Sequence, residues 1–404
     1  MPDILFLAHR VPYPPNRGDK MRSFHMLRHL AGEARIHLGA FADDDADLAY
    51  AEALRPLVAT LHIQKRGPRL PLMLGGLARA LPLSVAAFAS ADMQRFVDRT
   101  LASRRINAIL AFSSQMAQFV PEAPGCRFVM DFVDMDSAKF AAYAAQHGGP
   151  KRWLHAREAA LLQAFEIETA RRADLSLFVS EAEAALFRGA APGADVAALS
   201  NGIDLAFYDP ATPRALAAGP KTDSAPLIVF TGQMDYPPNV EAVTLFARET
   251  LPRIHRAVPD ARFVIVGRTP TAAVRALARD GVVVTGAVDD VRGWLAAADV
   301  VVAPLRLARG IQNKVLEAMA MAKPVVASPA AFEGIAARAG EELIVVDGVE
   351  AEAAAVIALL GDPARARAIG AAARARVEAR YGWDATLAPL AALVGIAPLQ
   401  AAAE

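Results

Sequence analysis

Apolar residues occur along the chain in short runs, and longer stretches with a helical period separate these runs. In the first half the runs are DILFLA, RIHLGAF, INAILAF, RFVMDFV, LSLFVS and VAALS. In the second half they are PLIVFTG, ARFVIVG, GVVVTG, DVVVAPL, KPVVAS and ELIVV. Runs that are apolar on both faces are typical of parallel strands covered by helices. The pattern predicts an α/β protein with two doubly wound, Rossmann-like domains.

The boundary between the two blocks of strands is expected near SNGIDLAFYDPATPRALAAGPKTDSAPL, where Gly, Pro, Asp and Ser are concentrated. We predict an N-terminal domain over residues 1–203, a second domain over 204–378, and a C-terminal helix over 379–404 that crosses back to the first domain. Doubly wound sheets bind ligands at the carboxyl ends of their strands. Two such domains that face each other across a cleft place these ends on both of its sides.

Composition narrows the class of protein. Hydrophobic residues make up 54% of the 404 residues and charged residues 21%, which favours a packed globular chain. Lys+Arg and Asp+Glu are each 43, so the net charge of zero gives no indication of nucleic-acid binding. Cys126 is the only cysteine, and no apolar run has the length of a signal peptide or a membrane span. We expect a cytoplasmic protein.

The first strand leads into a proline-rich loop, HRVPYPPNRGDKM, and then into a helix. Gly18 permits a close backbone approach at the start of that helix, where amide groups can face a phosphate or a sugar hydroxyl. Asp19 is either a cap of the helix or a polar group directed at the cleft. His9, at the end of the strand, is either a partly buried structural histidine or a catalytic group.

The second block repeats the arrangement of strand, glycine and loop. Gly232, Gly267 and Gly286 each end an apolar run. The chain contains neither G-x-G-x-x-G nor the P-loop pattern, no G-x-S-x-G, and no His/Cys spacing typical of metal ligands. Dinucleotide-fingerprint, P-loop and zinc chemistry are therefore not indicated.

The stretch GIQNKVLEAMAMAKPVVAS offers the most specific chemistry. Asn313 is placed to cap the helix, and Lys314 adds a positive charge to a helix N-terminus that already favours anions. Glu317 lies one helical turn after Lys314, and its carboxylate can accept hydrogen bonds from two neighbouring ribose hydroxyls. Lysine for a diphosphate and glutamate for a ribose form a nucleotide site. The alternative is an exposed Lys–Glu pair on the surface of the helix.

With its flanks, this stretch resembles the donor motif E-G-F-G-L-P-x-x-E-A-M-A-x-G-x-P-V-V of the retaining GT-B glycosyltransferases of family 4. YPPNRGDKMR, VSEAEAALF, LSNGIDLAFYDP, VTGAVDDVRGWLAAADVVVAPLR and YGWD are similar to other segments of that family. DFVDMDSAKF and GIQNKVLEAMAMAKPVV are most similar to sugar transferases of bacterial exopolysaccharide and exosortase loci. The resemblance covers nearly the whole chain.

The resemblance implies transfer of a sugar from a nucleotide-diphosphate sugar to an acceptor hydroxyl, with retention at the anomeric carbon. It implies no metal and no cofactor. A silent nucleotide-sugar-binding relative and a nucleotide-sugar 2-epimerase are the alternatives. The predicted catalytic residues are Asp19, His9 and Arg309, and the predicted donor-binding residues are Gly18, Gly232, Gln233, Gly267, Val288, Arg306, Asn313, Lys314, Val315 and Glu317.

Three positions depart from the family pattern. Arg309 stands where the first motif glutamate is usual, which implies a changed sugar preference, an acidic sugar or phosphate as ligand, or an inactive relative. Gln233 stands in a loop that usually carries Arg and Lys, so we expect the diphosphate to depend more on Lys314, on Arg306 or Arg309, and on helix N-termini. In AFSSQMAQ, Ser113, Ser114 or Gln115 replaces a histidine common in the family.

A basic segment of the first domain bears on the acceptor. No acidic residue occurs between Ala53 and Ala91, and we expect Lys65, Arg66, Arg69 and Arg79 to contact an anionic membrane surface. The alternative is a buried helix with solvated arginines at its ends. The family resemblance implies a lipid-linked acceptor at the inner face of the cytoplasmic membrane.

Overall fold

The computed structural model describes residues 1–15, 18–67, 69–146, 148–212, 225–308 and 311–396. The chain divides into two compact units, each built on its own sheet. Unit 1 comprises Met1–Asn201 with Thr386–Glu404, and unit 2 comprises Gly202–Ala385. No helix in the described ranges has the length and apolar character needed to cross a membrane.

The sheet of unit 1 has seven parallel strands in the order β3-β2-β1-β4-β5-β6-β7. Its central strands are buried on both faces, as the unbroken apolar runs require. The strands are β1 (Asp3–Ala8), β2 (Arg35–Ala42), β3 (Thr60–Lys65), β4 (Ala108–Phe112), β5 (Arg127–Val133), β6 (Leu175–Phe178) and β7 (Val196–Ala198).

Helices connect these strands, and side-chain caps fix where several of them begin. The side chains of Asp44, Ser90 and Ser180 each accept a hydrogen bond from a backbone amide in the first turn that follows. Two 3₁₀ turns cover Glu52–Leu57 and Ser114–Phe119. The helices are α1 (Gly18–Ala31), α2 (Asp45–Ala51), α3 (Arg69–Ala78), α4 (Leu83–Ala86), α5 (Ala91–Ser103), α6 (Asp136–Gln146), α7 (Gly149–Arg172) and α8 (Glu181–Ala190).

Unit 2 repeats the plan with six parallel strands in the order β10-β9-β8-β11-β12-β13. The strands are β8 (Leu227–Thr231), β9 (Arg262–Val266), β10 (Val282–Gly286), β11 (Val300–Ala303), β12 (Val325–Ala327) and β13 (Ile344–Val345). A π-helical turn at Phe246–Thr250 joins two of the helices. The helices are α9 (Pro237–Leu245), α10 (Leu251–Ala257), α11 (Ala272–Arg275), α12 (Val291–Ala297), α13 (Asn313–Ala320), α14 (Pro329–Phe332), α15 (Val349–Gly361) and α16 (Pro363–Arg380).

Every apolar run predicted to be a strand contains one, and β3 is the one strand among the described residues that was not predicted. In β3 the apolar residues Leu61 and Ile63 alternate with polar ones, and the first five positions are only half-buried. β3 lies at the edge of the sheet and pairs with β2 alone. Its pattern is therefore that of an edge strand rather than of a buried parallel strand.

The described part of the predicted segment 379–404 holds the end of α16 and two short helices, α17 (Trp383–Leu387) and α18 (Leu390–Leu393). The single helix predicted there is therefore wrong. α18 contacts α1, and the guanidinium of Arg127 donates a hydrogen bond of 3.0 Å to the carbonyl of Leu393. These contacts join the last described residues to unit 1.

One buried ion pair connects three parts of unit 1. Arg22 of α1 and Asp131 of β5 are both fully buried, and their closest atoms are 2.8 Å apart. The same guanidinium donates to the carbonyl of Leu199 at 2.7 Å and to the Asn201 side chain at 3.0 Å. It therefore fixes the helix, the strand and the segment at which unit 1 ends.

Replacing Arg22 by Met is expected to lower the free energy of unfolding by about 3–5 kcal/mol, because Asp131 is left as an unpaired buried charge. Chemical denaturation measures the loss. The double variant Arg22→Met/Asp131→Leu should recover most of it. The control Arg95→Met removes an exposed pair with Asp92 and should cost less than about 1 kcal/mol. Equal losses from Arg22→Met and Arg95→Met would contradict this account.

Candidate functional site

A cavity of about 580 Å³ lies at the carboxyl ends of the strands of unit 2. The chain order reverses between β8 and β11, which are neighbours in the sheet, and doubly wound sheets bind ligands at this point. α13 follows β11, and its first residues line the cavity. Seven of the predicted donor-binding residues line it together: Gly232, Gln233, Gly267, Val288, Asn313, Lys314 and Glu317.

The loops after β8 and β9 approach each other so closely that only glycine fits. A Cβ atom on Gly267 would lie 1.6 Å from the carbonyl oxygen of Gly232. The Gly232 amide donates to the carbonyl of Val266 at 3.0 Å, and the Gly267 amide donates to that of Gly286 at 3.2 Å. These glycines shape the cavity wall, but their own amides are engaged with backbone carbonyls.

Lys314 is half-buried, and its ammonium group is held by polar and aromatic neighbours. It donates a hydrogen bond of 2.5 Å to the Asn239 side chain and lies 4.5 Å from the centre of the Phe230 ring. Asn239 in turn donates to the carbonyl of Gln233 at 2.9 Å. Loss of hydration lowers the pKa of Lys314 to about 8, although Glu317 acts to raise it.

Glu317 follows Lys314 by one turn and is also half-buried. Burial raises the pKa of Glu317, against the opposing influence of the Tyr208 hydroxyl and of Lys314. Burial and the Glu317 carboxylate together raise the pKa of Tyr208. The alternative of an exposed Lys–Glu surface pair is therefore wrong, because both side chains are half-buried and line one cavity.

Arg268 and Thr231 are among the polar residues of the cavity that were not predicted from the sequence. Arg268 directly follows Gly267 and donates to the Gln233 side chain at 3.2 Å, so it brings a second positive charge to the cavity. The Thr231 hydroxyl is buried and has no hydrogen-bond partner among the described residues. An unsatisfied hydroxyl in a cavity wall is a feature that a polar ligand explains. The signal for both was their position beside a glycine that ends a strand.

The structure differs from the sequence prediction at several residues of unit 2. α13 begins at Asn313, so Gln312 occupies the capping position and the prediction that Asn313 caps the helix is wrong. Val315 is fully buried in the core of unit 2. Arg306 is exposed, lies 3.9 Å from Glu241 and lines another cavity of about 490 Å³. Arg309 lies outside the described residues.

His9, Gly18 and Asp19 belong to unit 1. α1 begins at Gly18, so Asp19 lies in its first turn; its carboxylate binds Arg10 and lies 3.3 Å from the imidazole of His9. Burial acts to raise the pKa of Asp19, but hydrogen bonds from His9 and Arg10 hold it well below its usual range. Burial lowers the pKa of His9, and its ring stacks on Phe112 with centroids 5.7 Å apart.

Ser113, Ser114 and Gln115 follow the carboxyl end of β4, and their replacement of a family histidine stays a prediction. Ser113 has a φ of 74°, in the left-handed region that disfavours side chains. Its hydroxyl donates to the Gln115 side chain at 2.5 Å, and its amide donates to the carbonyl of Asp131 at 2.8 Å. These bonds hold Ser113 in a strained conformation.

The cations predicted to contact a membrane differ in their surroundings. Lys65 pairs with Asp45, and Arg66 pairs with Asp43, at 2.6 Å in each case. The Arg66 side chain is also buried against Phe88. The prediction is therefore wrong for Arg66, whose buried charge is already paired, whereas Lys65 is exposed and its membrane contact stays a prediction. Arg79 is exposed, and the side chain of Arg69 lies outside the described residues.

Residues 225–362 match the model of the family described as "Glycosyl transferases group 1". This range contains the whole cavity. The chain is 32% identical over 206 residues to the GDP-mannose-dependent monoacylated alpha-(1-6)-phosphatidylinositol monomannoside mannosyltransferase of Corynebacterium glutamicum, covering 46% of this chain and 52% of that protein. It is 33% identical over 237 residues to the GDP-mannose-dependent alpha-(1-6)-phosphatidylinositol monomannoside mannosyltransferase of Mycobacterium tuberculosis. The latter match covers 54% of this chain and 60% of the relative, so the chain spans little more than half the length of these proteins.

Solved structures resemble the chain over nearly its full length. Sucrose-phosphate synthase from Thermosynechococcus elongatus matches with a TM-score of 0.62 and 19% identity, over 97% of this chain and 98% of that one. Anabaena HepE, solved in complex with UDP, matches with a TM-score of 0.61 and 15% identity, over 97% and 99%. The predicted fold class, two Rossmann-like α/β domains of GT-B type, is confirmed.

Replacing Lys314 by Met is expected to remove a pH dependence of stability. Its pKa falls from 10.5 to about 8 on folding, so between these values the unfolded state binds this proton and the folded state does not. Stability from this group therefore rises from about pH 8 upward, by about 3 kcal/mol at most. Denaturant titrations between pH 7 and 10 measure the difference between wild type and variant. Equal pH profiles for wild type, Lys314→Met and the exposed-lysine control Lys151→Met would show that the Lys314 ammonium is hydrated like a surface group.

Proposed function

We propose that the chain is a retaining glycosyltransferase that moves a sugar from a nucleotide-diphosphate sugar to an acceptor hydroxyl. One observation carries the proposal. The half-buried Lys314 ammonium and Glu317 carboxylate line a single cavity at the strand ends of unit 2, inside the range that matches the glycosyltransferase model. A cation and a carboxylate one helical turn apart suit the diphosphate and the ribose of a nucleotide.

The diphosphate has three sources of attraction in this cavity. Lys314 provides an ammonium group near the N-terminus of α13, where unpaired amides also favour an anion. Arg268 provides a guanidinium at the end of β9. Lys314 donates a hydrogen bond to the side chain of Asn239, which lies in the helix after the β8 loop. Its ammonium group therefore lies near the loop that carries Gln233 in place of the usual Arg and Lys.

The remaining lining suits the nucleoside. Glu317 accepts hydrogen bonds from the ribose hydroxyls, and interaction with Tyr208 keeps its carboxylate in place. Val288 and Ile311 offer apolar surface to the base. The relatives' names specify GDP-mannose, so guanine and mannose are the base and the sugar proposed here.

In the proposed reaction, the bond between the anomeric carbon and the diphosphate oxygen breaks as the bond to the acceptor oxygen forms on the same face of the sugar. The departing phosphate takes the proton of the acceptor hydroxyl. Lys314 and Arg268 stabilise the charge that develops on the diphosphate, so no metal is required. Retention rests on the family resemblance of the donor motif.

The acceptor proposed is lipid-linked and lies at the inner face of the cytoplasmic membrane. The relatives' names contain phosphatidylinositol monomannoside. The segments DFVDMDSAKF and GIQNKVLEAMAMAKPVV resemble transferases of exopolysaccharide loci. The product would enter exopolysaccharide or glycolipid assembly.

Calorimetric titration with GDP, UDP and ADP tests the donor site, and GDP is expected to bind most tightly. Lys314→Met should weaken GDP binding by about 10- to 100-fold, because a charge-assisted contact to phosphate is lost. The same variant should leave guanosine binding nearly unchanged. Glu317→Gln should weaken the binding of GDP and the binding of guanosine by a similar factor, because both ligands contain the ribose.

Arg306→Gln is the matched control, since this exposed arginine lines a different cavity. Its GDP affinity should equal that of the wild type. Equal losses in Arg306→Gln and Lys314→Met would remove the cavity from consideration as the donor site. If the folded wild type bound no nucleotide, the glycosyltransferase proposal would fail. Nucleotide binding without transfer to any acceptor would support a silent relative, and epimerised donor without acceptor would support an epimerase.

Sugar transfer is expected to proceed unchanged in the presence of excess EDTA, because protein cations rather than a metal neutralise the diphosphate. Nuclear magnetic resonance of the product should show the anomeric configuration of the donor. Loss of turnover in EDTA, restored by a divalent cation, would overturn metal independence. An inverted anomeric centre would overturn the front-face reaction.

A further inference from the structure

The outer face of α3 consists of apolar side chains. Leu74 is 62% exposed and Leu77 is 43% exposed, and they lie three residues apart on one side of the helix. On the opposite side, Gly76 lies so close to α4 that an added Cβ would be 2.4 Å from the Cβ of Ala86. A helix that buries one side against its protein normally carries polar residues on the other. α3 instead leaves leucines in contact with solvent.

The first turns of α7 extend this apolar area. Trp153 is 61% exposed and Leu154 is 39% exposed. Arg157, one turn after Trp153, donates to the carbonyl of Leu81 just beyond α3 at 3.4 Å, and Leu81 is itself 43% exposed. The buried carboxylate of Glu158 accepts a hydrogen bond of 2.8 Å from the amide of Leu83 in α4. These bonds place the start of α7 beside the end of α3.

Positive charges accompany the apolar side chains. Arg79, Lys151 and Arg152 are exposed and form no ion pair with any described residue. The sequence has no acidic residue from 53 to 91 or from 137 to 157, which are the stretches that contribute this area. Such an area attracts anions and repels cations, and it has a large apolar component.

We propose that this area docks onto an anionic phospholipid bilayer. The docking surface is defined by Leu74, Leu77, Leu81, Trp153, Leu154, Arg79, Lys151 and Arg152. Tryptophan and leucine enter the boundary between headgroups and acyl chains, and lysine and arginine bind the anionic headgroups. The unpaired cations and the absence of acidic residues favour a bilayer over a second copy of this surface, whose like charges would repel. The inference deepens the proposed function, whose lipid-linked acceptor lies at a membrane, but docking itself requires neither donor nor acceptor and can be measured without them.

The position of the tryptophans makes the docking measurable. The chain has three, and Trp294 and Trp383 are buried at 5% and 4% exposure, so Trp153 is the exposed one. Vesicles of phosphatidylglycerol and phosphatidylcholine should shift its emission to shorter wavelength and should sediment the full chain. Vesicles of phosphatidylcholine alone should do neither. In Trp153→Phe, sedimentation should persist and the shift should disappear, because phenylalanine also enters the boundary but does not report it.

Variants test the two components separately. Trp153→Ser should reduce partitioning into the anionic vesicles by about tenfold. Lys151→Gln/Arg152→Gln should reduce it by about fivefold for each charge. The matched control is Arg104→Gln/Arg105→Gln, because this exposed doublet also belongs to unit 1 but lies outside the docking surface. The control variant should lose far less of its partitioning into the anionic vesicles.

Three results would overturn the inference. The first is no sedimentation of the wild type with anionic vesicles, and the second is an equal loss of partitioning in Lys151→Gln/Arg152→Gln and in the control Arg104→Gln/Arg105→Gln. The third is a dimer that Trp153→Ser dissociates. The last would show that a second copy covers the surface. GDP titration of the same samples separates this inference from the proposed function, since Trp153→Ser should bind GDP as the wild type does. Docking of a protein that does not bind GDP would support the docking surface and contradict the proposed donor site.

Discussion

The placement of one ammonium group determines how the cavity of unit 2 is built. A lysine withdrawn from water is stable only when other groups replace part of its hydration. For Lys314 these groups are the Asn239 amide, the Phe230 ring and the nearby Glu317 carboxylate. They come from α9, β8 and α13, so partial burial of a single charge requires three elements to meet at the strand ends. The lowered pKa records that this replacement is incomplete.

Close backbone packing complements that charge. The contact between Gly232 and Gly267 lets the turns after β8 and β9 lie against each other without side chains between them. The two loops present the Thr231 hydroxyl and the Arg268 guanidinium along the wall of the cavity. The wall of the cavity therefore combines two glycines in close backbone contact with the positive charges of Lys314 and Arg268.

Buried charges have different surroundings in the two units. In unit 1, Arg22 and Asp131 are fully paired, and the guanidinium reaches backbone groups as well, which is the arrangement of a structural contact. In unit 2, Lys314 and Glu317 share a cavity without closing on each other, and each is left with capacity for a further partner. Unit 1 also leaves apolar residues such as Trp153 exposed beside unpaired cations, an arrangement that folding alone does not explain.

Local sequence patterns were enough to predict the α/β class, the buried strands and the placement of Lys314 and Glu317 one turn apart on a helix, because these depend on residues close together in the chain. It missed β3, whose alternating pattern reflects its place at the sheet edge, and it misassigned Asn313 as a cap. Only the tertiary structure brought Asn239 and Arg268 to the cavity and Tyr208 to Glu317, and only it placed Arg306 in a different cavity. It also showed that Lys65 and Arg66 are already paired. Contacts between residues far apart in the chain depend on how the elements pack, which local patterns do not encode.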